Sequence, residues 1–431
     1  MSPDLATAEG VRQLITVVLP AALRTVPPWE TGPLPFSSRG SGTDLALRQT
    51  YFTPAAGRAL YGTPERPCRW YRKADISHGP VSLDGIELLS TGTERHPSYA
   101  LAMLHLTVRG PHLMDTLRAI GGRYGAAPSP LHGPLAPEHL LRDIAETRPR
   151  ARPFALVRPY TLAFLTPGPG HTPALRDPAD GALPETADMW LWQLASRSNG
   201  SDYPLPPEEL PRIRERALRI SADWSALVLR HGAAFLGHRA DRGQDDFFSF
   251  AAQHVRSVYL DALLLGSIQR DHIDEIADSL SDVFDGPGLA RRVAALEGQL
   301  ARFRSVYWQQ HLTAHGPAND LLVAFQEQYR LPERFADVTA QAADFGQWVQ
   351  TRQNQQISGA LGILTILGLP LGTALGIVQT LGTDSPLHLA AGLGAAFAAT
   401  AAALATPYGR LVLASLRESP APPPPPGPPT P

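Results

Sequence analysis

Hydrophobic positions in the first half of the chain fall into short runs separated by proline-rich linkers. Residues 68–74, 85–91 and 100–108 pattern as strands, and 111–125 reads as a helix. A further strand is expected within 154–165, and 226–236 reads as a hairpin turning at Arg230, His231 and Gly232. The apolar patch 15–23 is short, is interrupted by Pro20 and follows Asp4 and Glu9 with no basic region, so it is not read as a signal peptide. This half predicts an α/β domain over residues 1–244. From Asp245 the prolines thin out and the period changes to that of amphipathic helices. Breaks fall at 285–288 and at Gly316-Pro317, and Pro332 opens a helix with no further proline until Pro370. Residues 245–356 therefore predict a stalk of long helices, the last of which continues to Leu381 and is roughly 75 Å long at 1.5 Å per residue.

No charged residue stands between Arg352 and Asp384. The apolar run 357–382 has the length of a membrane-spanning helix, and a second, alanine-rich run follows at 387–406. The fold class expected is therefore α+β: an N-terminal cytosolic α/β domain, a long helical stalk, and a C-terminal two-helix transmembrane hairpin over 357–406. Arg352, Arg410 and Arg417 flank the hairpin and Asp384 lies in its loop, which by the positive-inside rule puts both termini in the cytoplasm and the protein in the inner membrane. Gly368, Gly372 and Gly376 recur every fourth residue, a small-residue face for helix packing against the second span or another subunit. Residues 407–431 form a proline-rich tail, expected to be a polyproline II segment and a candidate ligand for a proline-recognising partner.

Composition narrows the chemistry. Over 431 residues the formal net charge is -2, which argues against a nucleic-acid partner. The mean hydropathy of -0.12 excludes a chain that is mostly membrane. One cysteine, Cys68, excludes a disulfide framework and a cysteine-based zinc cluster. No phosphate-cradling glycine loop, nucleophile elbow or zinc-protease helix is present, so no enzyme is expected. His311 and His315 share a helical spacing but lack the glutamate such a helix needs. Asp271, Glu275, Asp278, Asp282 and Asp285 follow one helical stripe, which is either a solvated acidic face or a regulatory divalent-cation site.

Long helices leading into a two-span hairpin, with Leu369, Pro370 and Leu371 ahead of Gly376 and Ile377, resemble the CorA-type divalent-cation transporter superfamily over about 223–410. In that family a Gly-Met-Asn triplet closes the first span, and the matching positions here are Gln379, Thr380 and Leu381. The resemblance implies a homopentamer in a lipid bilayer, a pore mouth at those three residues, and magnesium or another divalent cation as substrate or regulator through the acidic stripe. It equally permits a membrane-tethered sensor or effector that opens the bilayer on a cytosolic signal without selective transport.

Overall fold

The run around Ile15, which the sequence left unassigned, forms the central strand of the molecule. In the computed structural model, β1 spans Gly10–Leu23 and pairs with a strand on each side. Pro20 is tolerated there for a geometric reason. Pairing with one neighbour stops at Val18 and a two-residue strand takes over only at Ala22, so the missing N–H of Pro20 falls in the gap between them. The structure describes residues 4–36, 41–92, 97–147, 159–175, 186–285, 288–308 and 313–381, with isolated helical residues between 387 and 402. Side chains of 41–43, and those of 356–381 apart from Gly372 and Gly376, lie outside that description.

After β1 come β2 (Glu30–Thr31), α1 (Ser41–Tyr51), α2 (Pro54–Tyr61) and a small ribbon of β3 (Gly62–Thr63) and β4 (Arg66–Pro67). Thr53 caps α2 by accepting from the Ala56 N–H, with Pro54 in the first turn. An antiparallel meander follows: β5 (Arg69–His78), β6 (Val81–Ser90) and β7 (Tyr99–Val108). Next are α3 (Leu113–Ile120), α4 (Pro137–Leu140), β8 (Ala145–Glu146), β9 (Tyr160–Pro167), α5 (Ala187–Ser196) and α6 (Leu210–Arg216). A second meander, β10 (Leu218–Ser221), β11 (Trp224–Leu229) and β12 (Gly232–Gly237), contains the expected hairpin. Then come α7 (Phe248–His254), a π-helical turn (Val255–Tyr259), α8 (Leu260–Ser281), α9 (Leu289–Val306), α10 (Gly316–Tyr329) and α11 (Leu331–Leu381).

Among the described residues ten strands make one sheet in the order β10-β11-β12-β9-β1-β7-β6-β5-β2, with β8 on the end of β1. Every pairing is antiparallel except β9 with β12. Side chains alternate across the sheet, and the two faces differ in kind. One is apolar: Ile15, Val17, Leu104, Leu106, Ala163 and Leu165 join Leu117 of α3 and Trp190, Leu191 and Leu194 of α5 in a single core. The opposite face carries Thr16, His105, Glu87 and Arg69, and α8 lies over it, buried on all sides from Leu260 to Gln269. Gly266 lets α10 approach α8 closely, since a Cβ there would stand 2.5 Å from the ring of Phe325.

The chain divides into two compact units, Met1–Ser281 with Gly298–Thr339, and Asp282–Glu297 with Ala340–Pro431. The sheet, α1 to α8 and α10 belong to the first, while the chain passes from one unit to the other within α9 and again within α11. In the second, the ring of Phe284 meets Phe345 at 4.8 Å, and Gly346 passes so near Glu297 that a Cβ would stand 2.6 Å from its carboxylate.

The expected transmembrane hairpin is corrected here. Among the described residues, no helix is long and apolar enough to cross a membrane. Helix α11 does run unbroken from Leu331 to Leu381, through Pro370. The part whose side chains are described carries Glu333, Arg334, Asp337, Asp344 and Arg352, too many charges for a bilayer core. Side chains of the apolar run 357–381 lie outside the described residues, as do the connecting residues 382–386, most of 387–406 and the tail 407–431. The expected inner-membrane location falls with the hairpin, and the expected ion transport has no membrane-spanning helix among the described residues to act through.

Candidate functional site

Four polar side chains sit in a row on four adjacent strands, each inside an apolar stretch. Thr16 on β1 lies opposite His105 on β7 in the ladder, and their side chains meet at 3.1 Å between the hydroxyl and Nδ1. His105 Nε2 reaches Glu87 Oε1 on β6 at 2.8 Å. Arg69 on β5 donates from Nε to Glu87 Oε2 at 2.6 Å and from Nη1 to Asp261 Oδ1 of α8, also at 2.6 Å. The other oxygen of Asp261 accepts from the Tyr61 hydroxyl at 2.7 Å and from Arg48 Nη1 at 3.5 Å. Arg48 completes the chain by donating to Asp44 within α1 at 2.8 Å and to the Leu34 carbonyl at 2.7 Å. Arg69, Glu87, His105 and Asp261 are all 0% exposed.

Protonation states follow from the partners. A carboxylate only accepts, so His105 carries its proton on Nε2 and takes the Thr16 hydroxyl proton as a hydrogen bond at Nδ1. Burial lowers the His105 pKa and its bond to Glu87 only partly restores it, so the ring is held neutral. Burial pushes Glu87 up, but the Arg69 guanidinium and the bond from His105 outweigh it and bring the carboxyl down to about 2. Arg69 is driven the other way: burial disfavours its charge, and Asp261 and Glu87 more than restore it, raising its pKa. Tyr61 is raised by burial and by Asp261, so it stays a donor. Phe36 covers the edge of this cluster, with its ring edge-on to His105 at 4.9 Å and the guanidinium of Arg256 5.2 Å from its centroid. Arg256, from the π-helical turn, ties α8 to the sheet a second time by donating to Asp84 at 2.6 Å and to the Leu106 carbonyl.

Hydroxyl, imidazole and carboxylate in line resemble an acyl-transfer triad, yet this line lacks what catalysis needs. Thr16 is 2% exposed in the middle of the central strand, and no substrate can reach its oxygen. The arrangement can hold charge and fix geometry; it cannot turn over a substrate. Cys68, beside it, is no nucleophile either, because burial pushes its thiol up to about 11.

The residues singled out from the sequence are placed differently. Asp271, Glu275 and Asp278 belong to the first unit, Asp282 and Asp285 to the second. Asp271 bonds Arg270 at 3.0 Å, Glu275 is buried, and Asp278 is exposed. Helix α8 ends at Ser281, so Asp282 opens a 3-10 turn and Asp285 donates its N–H back to the Asp282 carbonyl. Among the described residues no group of three or more His, Cys, Asp and Glu is placed to hold a metal ion. Gly372 and Gly376 are exposed on α11, and Gly368 lies on the same helix. Gln379, Thr380 and Leu381 are its last three residues, with side chains outside the described set. His311 also lies outside the described residues, while His315 stands at the N-cap of α10, not on a helix face. No protein family, no curated protein and no solved structure matches the chain.

Proposed function

We propose that this chain is a non-enzymatic assembly protein, a rigid α/β body whose copies associate through α11. One observation carries the reading: a helix of 51 residues whose final stretch, from Ile357 to Leu381, has no charged side chain. An isolated helix of that composition is not stable in water with its apolar side chains uncovered. The stretch holds twelve Leu, Ile and Val residues. Covering half of them is worth about 9–18 kcal/mol at ~1.5–3 kcal/mol each, against an association cost of about 4–15 kcal/mol.

A second copy of the same helix is the partner this stretch suits. It presents no charge, so like meets like without repulsion, and the glycines at 368, 372 and 376 permit close approach of two backbones. A Cβ built on Gly372 would meet nothing within 4 Å among the described residues. The test is sedimentation of the full chain beside the variant Leu364→Arg/Leu371→Arg/Leu375→Arg, whose substitutions flank the glycine stripe. The natural chain is expected to sediment as a discrete oligomer and the variant as a monomer with unchanged thermal unfolding of the α/β body. A natural chain that is monomeric at every concentration refutes the reading.

A further inference from the structure

A second cluster, sharing no residue with the buried charge network, brings two histidines together from distant parts of the sequence. His254 ends α7 and His315 precedes α10, and their ring centroids are 6.3 Å apart. Three features build the site. The strand-like bridge between Phe52 and Thr313, with the Ala314 N–H donating to the Tyr51 carbonyl at 3.0 Å, docks the 313–315 segment on the end of α1. The π-helical turn Val255–Tyr259 brings His254 and Tyr259, five residues apart, onto one face, with ring centroids 6.0 Å apart. Tyr51 and Tyr259 then flank His315 at 5.1 and 6.0 Å.

The two rings differ in how their Nδ1 atoms are held. His254 Nδ1 donates to the Phe250 carbonyl at 3.0 Å, which fixes the tautomer and leaves the lone pair on Nε2. That is the outer-sphere bond that metal-ligating histidines commonly make. His315 Nδ1 is buried with no hydrogen-bond partner among the described residues.

We propose that His254 and His315 form a two-imidazole site for a divalent transition-metal ion of the copper, nickel and zinc class. Two imidazoles on one metal at ~2.0–2.1 Å bonds place their ring centroids roughly 4.5 Å apart when cis, about 5.3 Å when tetrahedral and about 6.4 Å when trans, and the observed 6.3 Å is that of a trans pair, the arrangement of a square-planar copper or nickel site. With only two protein ligands, water fills the remaining positions. The pair offers nitrogen and no carboxylate, so magnesium and calcium, which require oxygen ligands, are not bound. The site stands apart from the assembly reading, because it involves no residue of α11.

Isothermal titration of the full chain with Cu2+, Ni2+, Zn2+ and Mg2+ tests it. One equivalent of Cu2+, and more weakly of Ni2+ or Zn2+, is expected per chain, with no heat from Mg2+. His254→Ala and His315→Ala should each weaken binding at least tenfold, and the exposed control His78→Ala should not. Where His315→Ala unfolds the protein, His315→Gln keeps a polar side chain of similar reach and replaces it. A natural chain that binds none of the three ions overturns the site, and so does either histidine variant binding as tightly as the natural chain.

Discussion

Removing Arg69 is the sharpest probe of the charge relay, because one cation there serves two fully buried carboxylates. In Arg69→Met the side chain keeps its length and apolar stem, while Glu87 and Asp261 lose their shared countercharge. Breaking a buried pair by deleting one partner costs about 3–5 kcal/mol. Glu87 gives an independent figure. Its pKa stands at about 2 against an ordinary 4.5, and at 1.36 kcal/mol per unit that difference is about 3 kcal/mol of stability at neutral pH.

The pH dependence separates this cause from simple loss of packing. In the natural chain the depressed Glu87 pKa contributes stability that is complete above about pH 4.5 and is lost as pH falls toward 2. In Arg69→Met only the bond from His105 and the Arg48 charge still oppose burial, so the Glu87 pKa rises, the carboxyl takes up its proton more readily than in the natural chain, and acid relieves the buried charge. The gap between the two proteins should therefore be widest at pH 7 and narrow below about pH 4.5. Urea denaturation followed by tryptophan fluorescence at pH 7 and pH 4 measures both quantities. A difference under about 1 kcal/mol at pH 7, or one that is the same at both pH values, would refute the reasoning.

Two further outcomes follow from the same core. His105 has a folded pKa below its unfolded value, so its contribution to stability declines as pH falls through about 6.5. His105→Gln should accordingly lose less stability between pH 7.5 and 5.5 than the natural chain, and parallel losses would sink the assignment. Gly266→Ala inserts a methyl group against the buried Phe325 ring. It should cost about 1–3 kcal/mol by overpacking, beyond the ~1 kcal/mol that alanine returns as the better helix former. A net stabilisation in thermal unfolding would show that α8 and α10 do not cross there.

The strands that the sequence revealed were those with turn signals at both ends. The meander β5–β7 and the hairpin β11–β12 stand close to where the alternation of apolar residues placed them. β1 was missed because Pro20 argues against a central strand, and only the interrupted pairing on one side shows how it is accommodated. The relay had a sequence signal that went unread. Glu87 lies between Ile86 and Leu88, His105 between Leu104 and Leu106, and Asp261 between Leu260 and Ala262. A lone ionisable residue inside an apolar run is buried with its run, and burial obliges it to find a partner. The acidic stripe rested on spacing alone. Its spacing was helical, but spacing does not say which side of a helix faces inward, nor that α8 ends at Ser281 before the last two acids.

Why this core holds ionised groups where leucines would pack as well is answered by register. A buried network of charges is a poor source of net stability, since desolvation consumes most of the attraction. It is a strong discriminator between alternative packings. If α8 slid or rotated by one residue, Leu260 or Ala262 would face Arg69 in place of Asp261, leaving one cation and one carboxylate buried without each other. The apolar face of the sheet is held mainly by shape, with Asp188 of α5 bonding Arg219 of β10 at its margin. On the polar face the choice is made twice, once by Asp261 with Arg69 and Arg48, and again by Arg256 with Asp84. These two pairs come from successive turns of one helical run, and the π-helical turn lies at their junction. That turn is the local irregularity which lets both anchors, and the His254–Tyr259 face beside them, reach their partners together.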